Sequence, residues 1–262
     1  MYIEADGISV EFPVFDNQHR SLRHTILFSR LERRLVKTSQ NSVGGEIERD
    51  TAGRAYVKAI EDVSFAAEEG DRIGLIGANG AGKTTLLRTI AGIYEPIRGT
   101  IQVSGRTMPL FNINDGIDMD ATGREAIRTR GILMGLSTRE IREAMDEIIE
   151  FTELGDYVEM PIRTYSAGML VRLSFAVATA VRPEILLLDE IIGVGDAHFL
   201  EKAQARLSRF LSSAGILVIS SHSMDIIKMW CNRAILMKKG RVVAMGGVDK
   251  TVAAYEALGQ AG

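Results

Sequence analysis

Apolar residues recur along this chain with two periods. Ile3 to Phe15 alternates apolar and polar residues and predicts a half-buried strand. Tyr56 to Phe65 and Arg72 to Ile76 read as strands flanking the turn Glu69-Gly70-Asp71, and Gly99 to Val103 as a further short strand. Ile185 to Leu188 and Ile216 to Ser220 are unbroken apolar runs bounded by polar residues, the pattern of parallel strands buried on both faces. Arg233 to Met237 and Arg241 to Met245, joined by Lys238-Lys239-Gly240, predict a hairpin, and Val248 to Leu258 a short helix. From Thr107 to Arg182 the texture is helical: Ser137 with Glu140 makes a capping box, and Ile141, Met145, Ile148 and Thr152 follow at helical spacing. Residues 38–53, rich in Ser, Asn and Gly, read as a flexible loop. The expected organisation is one α/β domain. Residues 1–106 and 181–247 supply the core and a β subdomain, 107–180 an inserted helical subdomain, and 248–262 a short C-terminal helix.

Residues 20–37 stand apart. Arg20, Arg23, Arg30, Arg33, Arg34 and Lys37 stand against a single acid, Glu32; on a helical wheel Leu27, Phe28, Leu31 and Leu35 share one face, and Arg23, Arg30, Arg34 and Lys37 cluster opposite. Such a basic amphipathic helix suits anionic lipid headgroups or a pyrophosphate-linked lipid, at about 1 kcal/mol per basic residue near a membrane surface. The alternative is a solvated helix packed on its own β lobe. Composition narrows the rest. The net charge of −3 over 262 residues argues against a general polyanion binder. A single cysteine, Cys231, excludes an internal disulfide and a thiolate metal cluster. No signal peptide is expected at the N-terminus, nor any run of about 18 apolar residues, so a transport role would need a separate membrane subunit.

The chemistry concentrates at Gly77-Ala78-Asn79-Gly80-Ala81-Gly82-Lys83-Thr84-Thr85, directly after the apolar run Arg72 to Ile76. It fits G-x-x-x-x-G-K-[ST]. The glycines let successive backbone N–H groups turn inward around a phosphate, and the following helix aims its positive end at the same point. Lys83 can reach the β- and γ-phosphates, and the Thr84 hydroxyl can hold Mg²⁺. Ile185-Leu-Leu-Leu-Asp189-Glu190 is an apolar strand ending in two carboxylates: the first can coordinate Mg²⁺ and the second can polarise an attacking water. Ser166-Ala167-Gly168 opens a helix and offers a second anion site without a lysine. His222 follows the next predicted parallel strand, where a γ-phosphate would lie.

In order and spacing, Gly77 to Thr85, Tyr165 to Met169, Leu188 to Glu190, Gly193 to Asp196 and Ser221-His222 resemble the Walker A loop, signature, Walker B strand, D-loop and H-loop of ABC-transporter ATPase subunits, across about residues 56–246. The resemblance implies a P-loop NTPase with a RecA-like core, an antiparallel β subdomain and an inserted α-helical subdomain. It implies ATP and Mg²⁺, and a head-to-tail dimer in which each ATP lies between one copy's Walker loop and the Ser166–Gly168 signature of a second copy. Asp196 would connect the two sites, Glu190 would act as general base and His222 would contact the γ-phosphate. The signature reads Tyr-Ser-Ala-Gly-Met instead of the commoner Leu-Ser-Gly-Gly-Gln. The glutamine usual at the start of the helical subdomain is missing, with Asn112 or Asn114 standing in toward Mg²⁺. Phe15 and Tyr56 are the candidates for stacking on adenine.

Tyr165 to Met169 with Val171 to Ala176, the loop Val194 to Phe199 and Thr122-Gly-Arg-Glu125 look like one subgroup, the ATP-binding subunits that export O-antigen, capsule or teichoic-acid polysaccharides through bacterial inner membranes. That likeness implies a polytopic membrane permease as partner, a lipid-linked polysaccharide reached through it, a place on the cytoplasmic face of the inner membrane, and the 20–37 helix at the membrane surface. No nucleic-acid partner is expected. Export of another amphiphile, a lipid or a drug, is the runner-up. A nucleic-acid- or ribosome-directed ATPase of this class would usually carry two cassettes or coiled-coil inserts, which this chain lacks.

Overall fold

The computed structural model describes residues 1–14, 46–49, 55–111, 116–190 and 197–260. In chain order its strands are β1 (Tyr2–Pro13), β2 (Glu46–Arg49), β3 (Ala55–Glu68), β4 (Arg72–Ile76), β5 (Arg98–Ser104), β6 (Thr107–Leu110), β7 (Ile185–Asp189), β8 (Ile216–Ser220), β9 (Arg233–Lys238) and β10 (Arg241–Gly247). The helices are α1 (Lys83–Ile90), α2 (Gly123–Leu133), α3 (Thr138–Thr152), α4 (Ala167–Ala178), α5 (Ala197–Ser213), α6 (Met224–Trp230) and α7 (Val248–Gln260), with short 3₁₀ turns at Gly155–Glu159 and Ile162–Thr164.

The strands form two sheets. The smaller is antiparallel, in the order β2-β3-β1-β5; the larger runs β10-β9-β4-β8-β7-β6. Within the larger, β4 is parallel to β8 and β9, and β7 is parallel to β6 and β8, whereas the β9–β10 hairpin closes one edge antiparallel. The continuous apolar runs read from the sequence are its centre: Ile185 to Leu188 and Ile216 to Ile219 are at most 1% exposed. Helix α1 lies between the sheets, its Leu86, Leu87 and Ile90 packing with Ile3, Ile8, Ile60 and Val63 of the small sheet and Ile73, Leu75 and Leu187 of the large one. This sandwich fixes the loop ahead of α1 from both sides. Leu187→Ala is therefore expected to cost about 3–5 kcal/mol, because its close-packed neighbours between the two sheets cannot collapse into the void. The denaturant midpoint measures it.

The helical lobe, α2 to α4 with the two 3₁₀ turns, has its own core around Ile141, Met145, Ile148, Phe151, Leu173 and Phe175. Capping boxes open α2 (Thr122 with Glu125) and α3 (Ser137 with Glu140). Phe199 of α5 joins that core, 5.1 Å from Phe151 and 6.4 Å from Phe175 between ring centroids. The half-buried Cys231 follows α6; burial pushes its thiol up to about 12. A thiol reagent at pH 8 should label it about 10³-fold more slowly in the native protein than in urea, because the thiolate is the reacting form. Equal rates would contradict this burial.

Two expectations are corrected. Thr107–Leu110, assigned by its position to the helical subdomain, is β6, an edge strand of the large sheet paired with β7. Four residues are too few to show a period, and Pro109 argues against a strand except at an edge, where β6 sits. Glu46–Arg49, read as part of a flexible loop, is β2, an edge strand on β3. The basic helix expected at 20–37 lies outside the described residues.

Candidate nucleotide site

The carboxyl ends of β4, β8 and β7 meet at one end of the large sheet, where open parallel sheets bind ligands. There the loop from β4 to α1, Asp189 and Glu190 at the end of β7, and Ser220 and His222 after β8 line a cleft of about 520 Å³. Its other walls are Phe12 and Ala59 from the small sheet. Asn79, Gly80, Ala81, Gly82, Lys83, Thr84 and Thr85 all face it, so this part of the phosphate loop and both carboxylates share one cavity, which Gly77 does not line.

The loop's shape has local causes. Gly82 precedes the first residue of α1 with φ 103°, left-handed backbone that an L side chain adopts only under strain, and a Cβ there would lie 2.6 Å from Ala59 O. Lys83 Nζ donates to Gly77 O at 2.7 Å and Ala78 O at 3.1 Å, bending the loop around its own side chain. Gly240 N–H donates to Ala81 O, tying the β9–β10 turn to the loop. The first-turn amides of α1 have no intrahelical acceptor by geometry, no acidic side chain occupies that turn, and the helix dipole leaves the end positive. Burial holds the Lys83 ammonium below its usual range, while the carboxylates of Asp189 and Glu190 pull it back up. An incoming polyphosphate would bring further negative charge to this desolvated cation.

Glu190 has φ 73°, unusual for a non-glycine residue, and its N–H donates to Ser220 O at 3.0 Å. That bond holds a strained backbone which turns the carboxylate out of the β7 direction toward His222. The Glu190 Oε1 to His222 Nε2 distance is 3.8 Å, with both side chains about half exposed. Ser221 and Ser223 fix His222 from either side: Ser221 Oγ accepts the Ser223 N–H at 3.1 Å, and Ser223 caps α6 through the Ile226 N–H. Thr84 and Asp189 suit a Mg²⁺ ion as donors. Among the described residues no three His, Cys, Asp or Glu side chains converge on one point, so the ion would complete its shell with phosphate and water oxygens, the usual arrangement for Mg²⁺ at a nucleotide.

Ser166, Ala167 and Gly168 do not line this cleft. They open α4 on the exposed surface of the helical lobe, where Ser166 Oγ accepts the Met169 N–H at 3.2 Å and the first turn carries no acid. A Cβ on Gly168 would meet nothing closer than Ser166 Oγ at 3.9 Å, so packing within this chain does not require glycine there. Tyr56 does not line the cleft either. In the β1–β3 register Phe12 pairs with Val57 and Tyr56 pairs with Pro13, so period-two alternation turns Tyr56 to the opposite face. The aromatic wall is Phe12, whose ring also meets Tyr94 edge-on at 4.9 Å. The register advances from Val10–Ile60 to Glu11–Lys58, leaving Ala59 as the extra residue of a bulge that re-aims the strand at the cleft. Neither Phe12, Ala59 nor Ser220 was singled out by motif. Phe15, Asn112, Asn114 and Asp196 lie outside the described residues.

The model of the family described as "ABC transporter" matches residues 60–193, just over half the chain and including the phosphate loop, signature and twin carboxylates. The chain belongs to the ABC transporter family. Relatives within that family include ATP-binding proteins of O-antigen and teichoic-acid export. It is 40% identical to an O-antigen export system ATP-binding protein of Yersinia enterocolitica, over 90% of this chain and 94% of that one. It is 34% identical to a teichoic acids export ATP-binding protein of Lactococcus lactis, over 84% of this chain and 47% of that one. Among solved structures, a dimeric post-hydrolysis ATP-binding cassette bound to ADP and Pi superposes with TM-score 0.63 at 16% identity, covering 94% of this chain and 98% of that one. This last likeness carries the ABC ATPase fold.

Proposed function

We propose that this chain is the ATP-hydrolysing subunit of an exporter of lipid-linked cell-surface polysaccharide, working as a homodimer beneath a polytopic permease at the inner membrane. The observation that carries the ATPase reading is the convergence of Lys83, Thr84, Asp189, Glu190 and His222 on one cleft. Lys83 and the α1 amides bind and orient the phosphates. Thr84 and Asp189 would hold Mg²⁺, whose charge offsets that building on the transferred phosphoryl group. Glu190 orients the attacking water and accepts its proton, and His222 contacts the γ-phosphate beside it. Phe12, not Tyr56, offers an apolar face to the base.

The exposed Ser166–Gly168 surface is the other half of the site. It presents a helix start with no acid and an unobstructed glycine, suited to meeting the γ-phosphate held by a second copy. Closing two copies around ATP buries that charge and delivers the mechanical step. No helix of the described residues is long and apolar enough to cross a membrane; in this reading a separate permease carries out translocation. In a host carrying the intact export system, replacing this chain by its Lys83→Ala variant should abolish surface glycan and leave lipid-linked glycan on the cytoplasmic side. Unchanged surface glycan, with the variant expressed and folded, would overturn the export assignment.

A further inference from the structure

The segment that ends in the signature is fastened to the start of α2 at several points. Ile162 N–H donates to Ala121 O at 2.9 Å, Arg163 N–H donates to Met119 O at 2.8 Å, and Thr122 and Pro161 form an antiparallel bridge. Arg124 Nε donates to Glu159 Oε1 at 2.8 Å, and Arg163 pairs with Asp120. Ile162 is fully buried beneath these contacts. Exposed ion pairs of this kind contribute little stability, so the position of the loop rests on what is packed.

Beside Ile162, the packed contact nearest the signature is Tyr165, immediately before Ser166. Its Oη donates to Tyr157 O at 2.6 Å, and its phenol lies over Gly123, the first residue of α2. A methyl group at Gly123 would overlap Tyr165 Oη and would also lie 3.0 Å from Val158 O. Gly123 has no left-handed backbone to explain its identity. Its role is to make room for the phenol. Burial pushes the Tyr165 phenol up, while a hydrogen bond with the Gly123 backbone works the other way.

We propose that Tyr165, seated on Gly123, is a positioning residue that sets where Ser166–Gly168 stands when it meets the nucleotide on a second copy. The inference rests on the composite-site reading above. It makes the Tyr165–Gly123 contact a determinant of dimer closure, separate from ATP capture at the phosphate loop. An error of about 1 Å in such a group can cost about a hundredfold, so displacing the phenol weakens closure without touching Lys83.

The test is made in the Glu190→Gln background, reading two quantities: nucleotide affinity of the monomer and the ATP concentration at half-maximal dimerisation. Gly123→Ala should leave the first unchanged and raise the second about tenfold or more. Adding Tyr165→Phe, which removes the clashing hydroxyl, should restore it to within about threefold, a coupling that a double-mutant cycle isolates. An unchanged threshold in Gly123→Ala, or a defect that Tyr165→Phe does not relieve, overturns the proposal. Should Gly123→Ala fail to fold, Tyr165→Ala takes its place, with the same rise expected and an unchanged threshold again overturning it. Ser166→Arg separates the two levels. If it leaves dimerisation intact, the composite-site reading itself fails; if it blocks dimerisation while the Gly123 and Tyr165 variants do not, only the positioning role fails.

Discussion

Glu190→Gln slows ATP turnover by about 10²–10⁴-fold, the range for loss of a general base, and accumulates an ATP-bound dimer. The geometry makes this substitution clean. Glutamine keeps the length of the side chain and the left-handed backbone at this position, and the N–H bond to Ser220 O is unaffected because it belongs to the main chain. What changes is charge and proton acceptance beside His222. One negative group also leaves a cleft that must receive polyphosphate, so ATP affinity holds or improves. Phosphate release measures the first effect and size-exclusion chromatography with ATP the second. Turnover within about fivefold of wild type would mean that the base lies elsewhere.

Lys83→Ala abolishes tight ATP binding, with an expected loss of about 10²-fold in affinity, since a buried charge-assisted hydrogen bond contributes about 1.5–3 kcal/mol and its loss leaves facing charge unpaired. Lys83 is the cation that offsets Asp189 and Glu190 across the cleft, and it holds the carbonyls of Gly77 and Ala78. Its removal leaves two carboxylates opposing the incoming phosphates and frees the loop to relax. The fold should survive, because burial already works against this ammonium. Fluorescent-nucleotide titration beside a thermal melt separates the two effects. Near-normal affinity would contradict the assignment of the loop.

The large sheet was legible because Ile185 to Leu188 and Ile216 to Ser220 are buried on both faces, and continuous apolar runs survive in a single sequence. The phosphate loop was legible for a related reason: its glycines answer to local backbone geometry, which sequence encodes directly. Phe12 was not. Choosing it over Tyr56 depends on a strand register and on the bulge at Ala59, both set by pairing between segments about 45 residues apart. Strand β6 was hidden by its brevity and by Pro109. The reason for Gly123 lay in Tyr165, 42 residues away, and only their contact in the fold connects them.

The central claim is that each nucleotide lies between two copies of this chain, held by the phosphate loop of one and by Ser166–Gly168 of the other. Mixing two inactive variants tests it directly. Lys83→Ala and Ser166→Arg chains should each fail alone to retain ATP in a dimer. In an equimolar mixture both lesions fall in the same composite site and leave the second site intact, so the account predicts recovery of a dimer retaining one ATP per two chains. No recovery from the mixture, with both variants folded, would contradict a shared site and place the whole of nucleotide binding within a single copy.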